Sequence, residues 1–227
     1  MHIGIYYLLI LGLLLWSCEC PPNLNTDKIY LPRESSYLSI INLLNNDKPY
    51  DVYSMNIKIF QLKQISMITN QTYFKFQSGI VDFKLQNNDS TIFKTIIQTQ
   101  KGEFYTMLLF RNNQEIENLL IAENIDKSKM NLYLKFANYS SIDKVKFVLV
   151  SDLPQNLEYN LMKNGITDNI AFPSIPFSLQ VYKLPDNELI AKIENITINL
   201  ENITYFILTG DAKDVKIFQI NNNYKIN

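Results

Sequence analysis

The residues most ready to do chemistry stand at the start of the chain, where an apolar run from Ile3 leads into Leu15-Trp16-Ser17-Cys18. Leu-x-Ser-Cys is the pattern of a bacterial lipoprotein cleavage site, and its logic is chemical. A signal peptidase needs small residues at the cut, and the cysteine thiol that follows is the nucleophile that accepts diacylglycerol. The run of about 14 residues from Ile3 to Trp16 falls short of the ~20 that cross a bilayer but fits the apolar region of a secretory signal. The pattern predicts a helical signal peptide over 1–17 and Cys18 as the lipidated first residue of the mature chain. Palmitate-type chains would then hold it at a membrane, each buried methylene contributing roughly 0.8 kcal/mol. Against this, Met1-His2 lacks the usual Lys or Arg, and Trp16 is bulky for its place. A signal simply cut near Ser17 and a buried N-terminal helix are the alternatives. Residues 18–36, with Pro21 and Pro22 and no periodicity, read as a tether.

Beyond that segment the chemistry is sparse. The one histidine, His2, lies inside the signal, so the remainder lacks the side chain that Ser-His-Asp and Cys-His nucleophiles, His-ligated zinc and histidine pH switches require. Cys18 and Cys20 are the only cysteines, so no disulfide staples the body. With six glycines and no Gly-x-Gly-x-x-Gly or Gly-Lys-Ser/Thr run, phosphate and dinucleotide cofactors are not expected. Lys and Arg number 21 against 22 Asp and Glu, a balance that argues against nucleic acid as a partner. Paired carboxylates are the one catalytic device left, because glycoside hydrolysis needs only two Asp or Glu flanking a bond. Asp51, Asp82, Glu103, Asp152 and Glu194 are candidates, but their scatter fits solvated positions on strands and turns better. Asp211-Ala-Lys-Asp214 is too poor in ligands for a calcium loop and reads as a turn, so no catalytic, metal or cofactor residue is assigned. Five Asn-x-Ser/Thr triplets, at Asn70, Asn88, Asn138, Asn195 and Asn202, barely exceed chance in so asparagine-rich a chain. Tyr50, Tyr53, Tyr73, Tyr139 and Tyr182 suit a recognition surface, though tyrosine more often covers a sheet.

The elements that must carry these residues are strands. Val81, Phe83 and Leu85 alternate with Asp82 and Lys84; Leu132, Leu134 and Phe136 with Tyr133 and Lys135; Ile196, Ile198 and Leu200 with Thr197 and Asn199. No convincing amphipathic helix appears, although Asn156 to Lys163 could form a turn or two. Self-comparison shows a repeat. A shift of 96 lays Tyr37–Asn42 on Tyr133–Asn138, Phe76 on Phe172, Phe83 on Leu179 and Leu85 on Val181, and a shift of 100 lays Tyr105–Leu108 on Tyr205–Leu208. The repeat predicts an all-β chain of two tandem antiparallel β-sandwich domains, immunoglobulin-like or transthyretin-like, over 37–125 and 131–221. Turn signals stand at Asn45-Asn46-Asp47, Ser78-Gly79, Asn87-Asn88-Asp89, Lys101-Gly102, Ser140-Ser141, Asn164-Gly165, Pro173-Ser174 and Pro185-Asp186-Asn187, with Asn-Gly the strongest for a hairpin.

The succession Tyr37-Leu-Ser-Ile-Ile-Asn42, Asp51-Val52-Tyr53, Gln77-Ser78-Gly79 and Gly102-Glu103-Phe104-Tyr105-Thr106 resembles the domain-of-unknown-function family 4397. The resemblance covers 37–124 well and 131–220 more loosely, since Pro173-Ser174-Ile175 lacks the glycine of Gly79 and Lys144-Val145-Lys146 replaces Asp51-Val52-Tyr53. It implies extracytoplasmic β domains, often in tandem behind lipoprotein or secretion signals, and brings no catalytic residues. The expected function is a non-enzymatic cell-envelope lipoprotein, at the outer membrane or cell surface. It would meet the membrane through Cys18 and serve as an interaction or scaffolding module for a protein or glycan partner. A carboxylate-dependent carbohydrate-active enzyme and a purely structural spacer are the alternatives.

Overall fold

β-Branched and aromatic residues in short alternating runs leave the chain little choice but strands, and every regular element among the described residues is one. The computed structural model describes residues 34–44, 49–112, 114–126 and 132–224. These all belong to the compact unit Pro32–Asn227. The signal peptide, Cys18, most of the tether and the Asn45-Asn46-Asp47 turn lie outside the described residues.

The first half supplies β1 (Ser35–Asn42), β2 (Tyr50–Ser54), β3 (Ile57–Leu62), β4 (Ile68–Thr72), β5 (Phe74–Gln77), β6 (Gly79–Asn87), β7 (Ser90–Thr99), β8 (Phe104–Asn112) and β9 (Glu115–Glu123). The second supplies β10 (Leu132–Ser140), β11 (Lys144–Ser151), β12 (Leu157–Met162), β13 (Ile170–Phe172), β14 (Phe177–Lys183), β15 (Glu188–Ile196), β16 (Asn202–Asp211) and β17 (Asp214–Asn223). β1 thus begins at Ser35, inside the stretch expected as tether, and Asn156 to Lys163 holds the strand β12 rather than a helical turn.

The halves are two sandwiches of like topology. In the first, sheet β5-β1-β8-β9 faces sheet β3-β2-β6-β7; in the second, β13-β10-β16-β17 faces β12-β11-β14-β15. Among its own strands each half has one parallel pair, β1 with β8 and β10 with β16, the rest being antiparallel. The 96-residue repeat is visible in the ladders: Ser36 opposes Phe76, and Leu132 opposes Phe172. Near the end of the unit the structural shift is 99, because Tyr37 stands beside Phe104 and Tyr133 beside Ile203. The expected shift of 100, which laid tyrosine on tyrosine, is one residue out. A one-residue slip exchanges the two faces of a strand: Tyr105 packs inside the first sandwich, whereas Tyr205 lies on the opposite side of its sheet. By the same criterion the counterpart of Val52 is Phe147, since Val52 opposes Leu85 and Phe147 opposes Val181. Lys146-Phe147-Val148 therefore replaces Asp51-Val52-Tyr53, rather than Lys144-Val145-Lys146.

Three apolar cores separate four sheets. Leu38, Val52, Phe83, Leu85 and Met107 fill the first sandwich, and Leu134, Phe136, Phe147, Val181 and Phe206 the second. The third core, with Ile41, Phe104, Leu108, Ile203, Tyr205 and Ile220, lies between the sandwiches, where sheet β5-β1-β8-β9 packs on sheet β13-β10-β16-β17. The inner sheets are consequently buried on both faces, which explains the near-continuous apolar runs Phe104–Leu109 and Ile203–Leu208. A backbone link reinforces the contact. β4 leaves the first sandwich and pairs in parallel with β17, Ile68 beside Gln219 through Thr72 beside Asn223, as a fifth strand of the second half's inner sheet.

Candidate functional site

Burying both faces of the inner sheets carries polar residues inward. Lys135 alternates with Leu134 and Phe136, and alternation alone would place it in solvent, yet it is 4% exposed. Its Nζ lies 3.0 Å from Oε2 of Glu123, whose side chain is wholly enclosed. The approach is that of an ion pair, off the direction of a hydrogen bond to Oε2. The Tyr205 hydroxyl donates to Oε1 of Glu123, and Lys135 stands 5.6 Å from the Tyr205 ring centroid. Nearby, the Tyr73 hydroxyl bonds Thr106 at 3.1 Å, and the single Ser39 hydroxyl proton is shared between the side-chain oxygens of Gln71 at 2.9 Å and Asn222 at 3.2 Å. Burial, then the Glu123 charge, pushes both the Tyr73 and Tyr205 hydroxyls well above the usual tyrosine range. These groups join the sandwiches: Glu123 ends β9, while Lys135 and Tyr205 lie on β10 and β16. Enclosed and mutually bonded, they are a polar clamp inside an apolar core, and the sequence reading missed them. The signal available was the unbroken apolar character of β8 and β16, which implies a second buried face.

Accessible concavity is found at β4. One cleft of about 680 Å³ is lined by Ile59 and Phe60 of β3, the connecting residues Lys63 to Ser66, β4 itself, and Phe74 and Lys75 of β5. Phe60 and Phe74 meet edge to face there, with centroids 4.9 Å apart. A second groove of about 650 Å³ lies between β4 and the end of β15 and gathers carboxamides: Asn70, Asn195, Asn199, Asn202, Gln219, Asn221 and Asn223. The Asn221 amide donates to Asn70 across the parallel pair at 2.9 Å, and Asn221 accepts from Thr204 at 2.9 Å. Asn70, Gln71 and Thr72 line both concavities, so β4 is the wall between them. The first contains Lys63 and Lys75 and no carboxylate; the second contains one, Glu194. Paired amide and hydroxyl groups offer both donors and acceptors, which suits polar, hydrogen-bonding ligands.

The candidate carboxylates are not brought together. Asp51 pairs with Lys58 at 2.7 Å and Asp82 with Lys94 at 3.7 Å, both on the outer sheet of the first sandwich. Hydrogen bonds from Lys58 and Gln61 hold the Asp51 carboxyl below its ordinary range. Glu194 pairs with Lys192 on β15, and that hydrogen bond lowers its pKa. Glu103 is exposed just before β8, and Asp152 is exposed just after β11. Among the described residues no three His, Cys, Asp or Glu side chains converge as a metal site would require. The carboxylate of Asp211 accepts the amides of Lys213 and Asp214 at 2.9 and 3.0 Å, closing the β16–β17 turn on itself. Of the Asn-x-Ser/Thr asparagines, Asn138 is fully buried and ties Ser140 and Ile142. Tyr50 is buried, Tyr53, Tyr139 and Tyr182 are half-buried, and Tyr73 turns its hydroxyl inward to Thr106 while part of its ring reaches the surface, so these tyrosines form no exposed strip. Cys18 lies outside the described residues. No protein-family model matches the chain, and no curated protein matches it.

Proposed function

We propose that this chain is a non-enzymatic interaction module of the cell envelope, lipid-anchored through Cys18, whose working surface is the pair of concavities flanking β4. The observation that carries the reading is the chemistry of those linings. They hold carboxamides, hydroxyls, two lysines and a pair of phenylalanines around a single carboxylate. Such groups bind by hydrogen bonding and burial and do not make the acid and base pair that glycosidic hydrolysis needs. The Leu15-Trp16-Ser17-Cys18 pattern supports the anchor.

Two measurements test the reading separately. Growth with a labelled fatty acid should mark the wild-type chain, and Cys18→Ser should lose both the label and the membrane fraction. Incubation of the purified protein with glycan and protein panels should give retention without turnover; turnover would instead support the carboxylate-dependent enzyme.

A further inference from the structure

We propose that β4 is a strand-addition site, where an extended segment of a partner protein pairs with the outer edge of the strand and lays alternate side chains into the two flanking grooves. The proposal rests on the interaction-module reading and names its class of partner.

Edge strands invite pairing with other chains, and proteins guard them with charge, proline or brevity. The four sheets have eight edge strands. Lys58 guards β3, Lys75 β5, Lys94 β7, Glu117 β9, Glu158 β12 and Lys192 β15, while β13 is only three residues long. β4, Ile68-Thr69-Asn70-Gln71-Thr72, is five residues long with neither charge nor proline. The guard is missing at the one edge that stands between two concavities.

The backbone direction agrees. The Gln219 amide donates to the Met67 carbonyl at 2.8 Å, so odd-numbered residues address β17, and strand alternation turns the amides and carbonyls of Ile68, Asn70 and Thr72 to the opposite edge. No described strand pairs with that edge. Ser66 donates to the Ile68 carbonyl at 2.7 Å, which leaves the Ile68 amide and the amides and carbonyls of Asn70 and Thr72 to receive a partner. In strand addition the main chain supplies affinity, and pockets for alternate side chains supply selectivity. Here one groove offers Phe60 and Phe74 with Lys63 and Lys75 and no opposing acid, and so fits apolar and acidic side chains. The other, rich in carboxamides, fits hydroxyl and amide side chains. The partner segment therefore alternates apolar or acidic residues with Ser, Thr, Asn or Gln.

The probe is a phage-displayed library of random peptides about twelve residues long, selected on the purified full-length chain, with enriched sequences synthesised and titrated by fluorescence anisotropy. Enriched peptides should show that alternation, and N-methylation of every second peptide bond should weaken them by about tenfold or more, the loss of 1.4 kcal/mol or more. Asn70→Pro should weaken binding equally, since it removes an amide that faces away from β17. Asn70→Lys, which guards the edge without altering the backbone, covers the case in which proline disturbs folding. Three results would overturn the proposal: no enrichment; enriched peptides that bind both Asn70 variants as well as wild type; or self-association of the chain abolished by Asn70→Lys, which would make a second copy the occupant. The second result leaves the interaction module standing, with its ligand elsewhere. Failure of the module itself would appear as turnover in the glycan and protein panels.

Discussion

Lys135 and Glu123 form a buried ion pair in which each charge depends on the other. Removing one member of a buried ion pair strands the other charge and costs about 3–5 kcal/mol, whereas neutralising both together is often close to neutral. Lys135→Met should therefore lower the urea midpoint sharply. Adding Glu123→Gln should restore most of the loss, because the glutamine carbonyl still accepts the Tyr205 hydroxyl. The tyrosines of the same core set a pH limit. Burial holds Tyr73 and Tyr205 protonated in the folded state, and Tyr139 is pushed up to about 12 by burial and Glu117. In the unfolded chain they ionise near pH ~10. Below that pH both states bind the same protons, so stability does not vary with pH through these groups. Above it the unfolded state loses protons that the native state keeps, and each such tyrosine erodes stability by about 1.4 kcal/mol per pH unit. Tyr139 stops contributing near pH 12, where it ionises in the fold too. Absorbance titration at alkaline pH should show Tyr73 and Tyr205 ionising only with loss of the β-sheet circular dichroism signal, and Tyr73→Phe and Tyr205→Phe should each remove that late absorbance step.

At the scale of elements, turn chemistry decides how strands meet. The β16–β17 hairpin enters its turn through Gly210, which is paired with Val215 and whose φ of +94° suits glycine, and a Cβ built there would come within 2.1 Å of the Asp214 carbonyl oxygen. Gly210→Ala should cost about 1–3 kcal/mol from backbone strain alone, read as a lowered thermal midpoint. It should also lower the hydrogen-exchange protection of β17 and, through the parallel pair, of β4. Hairpins with their own signal were legible: Asn88 and Asp89 both take positive φ in the two-residue β6–β7 turn. Met55-Asn56 makes the same kind of turn between β2 and β3 without advertising it, and Asn164-Gly165 is a turn but no hairpin. After β12, Asn164 and Gly165 instead bond Asn138 of β10, so the second half's connection stays on its own inner sheet. The equivalent stretch of the first half crosses to β17 as β4. No local pattern distinguishes those two outcomes, because the choice depends on a partner strand some 150 residues away in sequence. Strand type follows from period-two alternation only where the segment also finds a neighbour: Val81 to Leu85 and Leu132 to Phe136 are strands, whereas β15 ends at Ile196 and the equally alternating Thr197 to Leu200 is not a strand. The function of β4 depends on where a polar five-residue strand finds a neighbour, and its sequence is silent on that.

Across the whole molecule, the repeat alone describes two bodies on a string, but the shared core makes a different prediction. The inner sheet of each sandwich is covered by the other, β4 of one half completes a sheet of the other, and the Glu123–Lys135 pair spans the junction. Unfolding one half would bare Tyr37, Ile41, Phe104 and Leu108 on the survivor and leave a charge without its partner. Burial at about 25 cal/mol per Å² makes that exposure costly enough to couple the halves. Phe136 tests the coupling because it sits entirely within the second sandwich, fully buried and stacked on Phe147 and Phe206 at 5.1 and 5.9 Å. Phe136→Ala should cost about 3–5 kcal/mol. In independent domains the loss would be confined to the second half. In a coupled pair, native-state hydrogen exchange at β6 and β7, in the outer sheet farthest from the substitution, should lose protection by a similar free energy. Denaturation followed by tyrosine fluorescence and by circular dichroism should then give coincident midpoints, as a single cooperative unit requires.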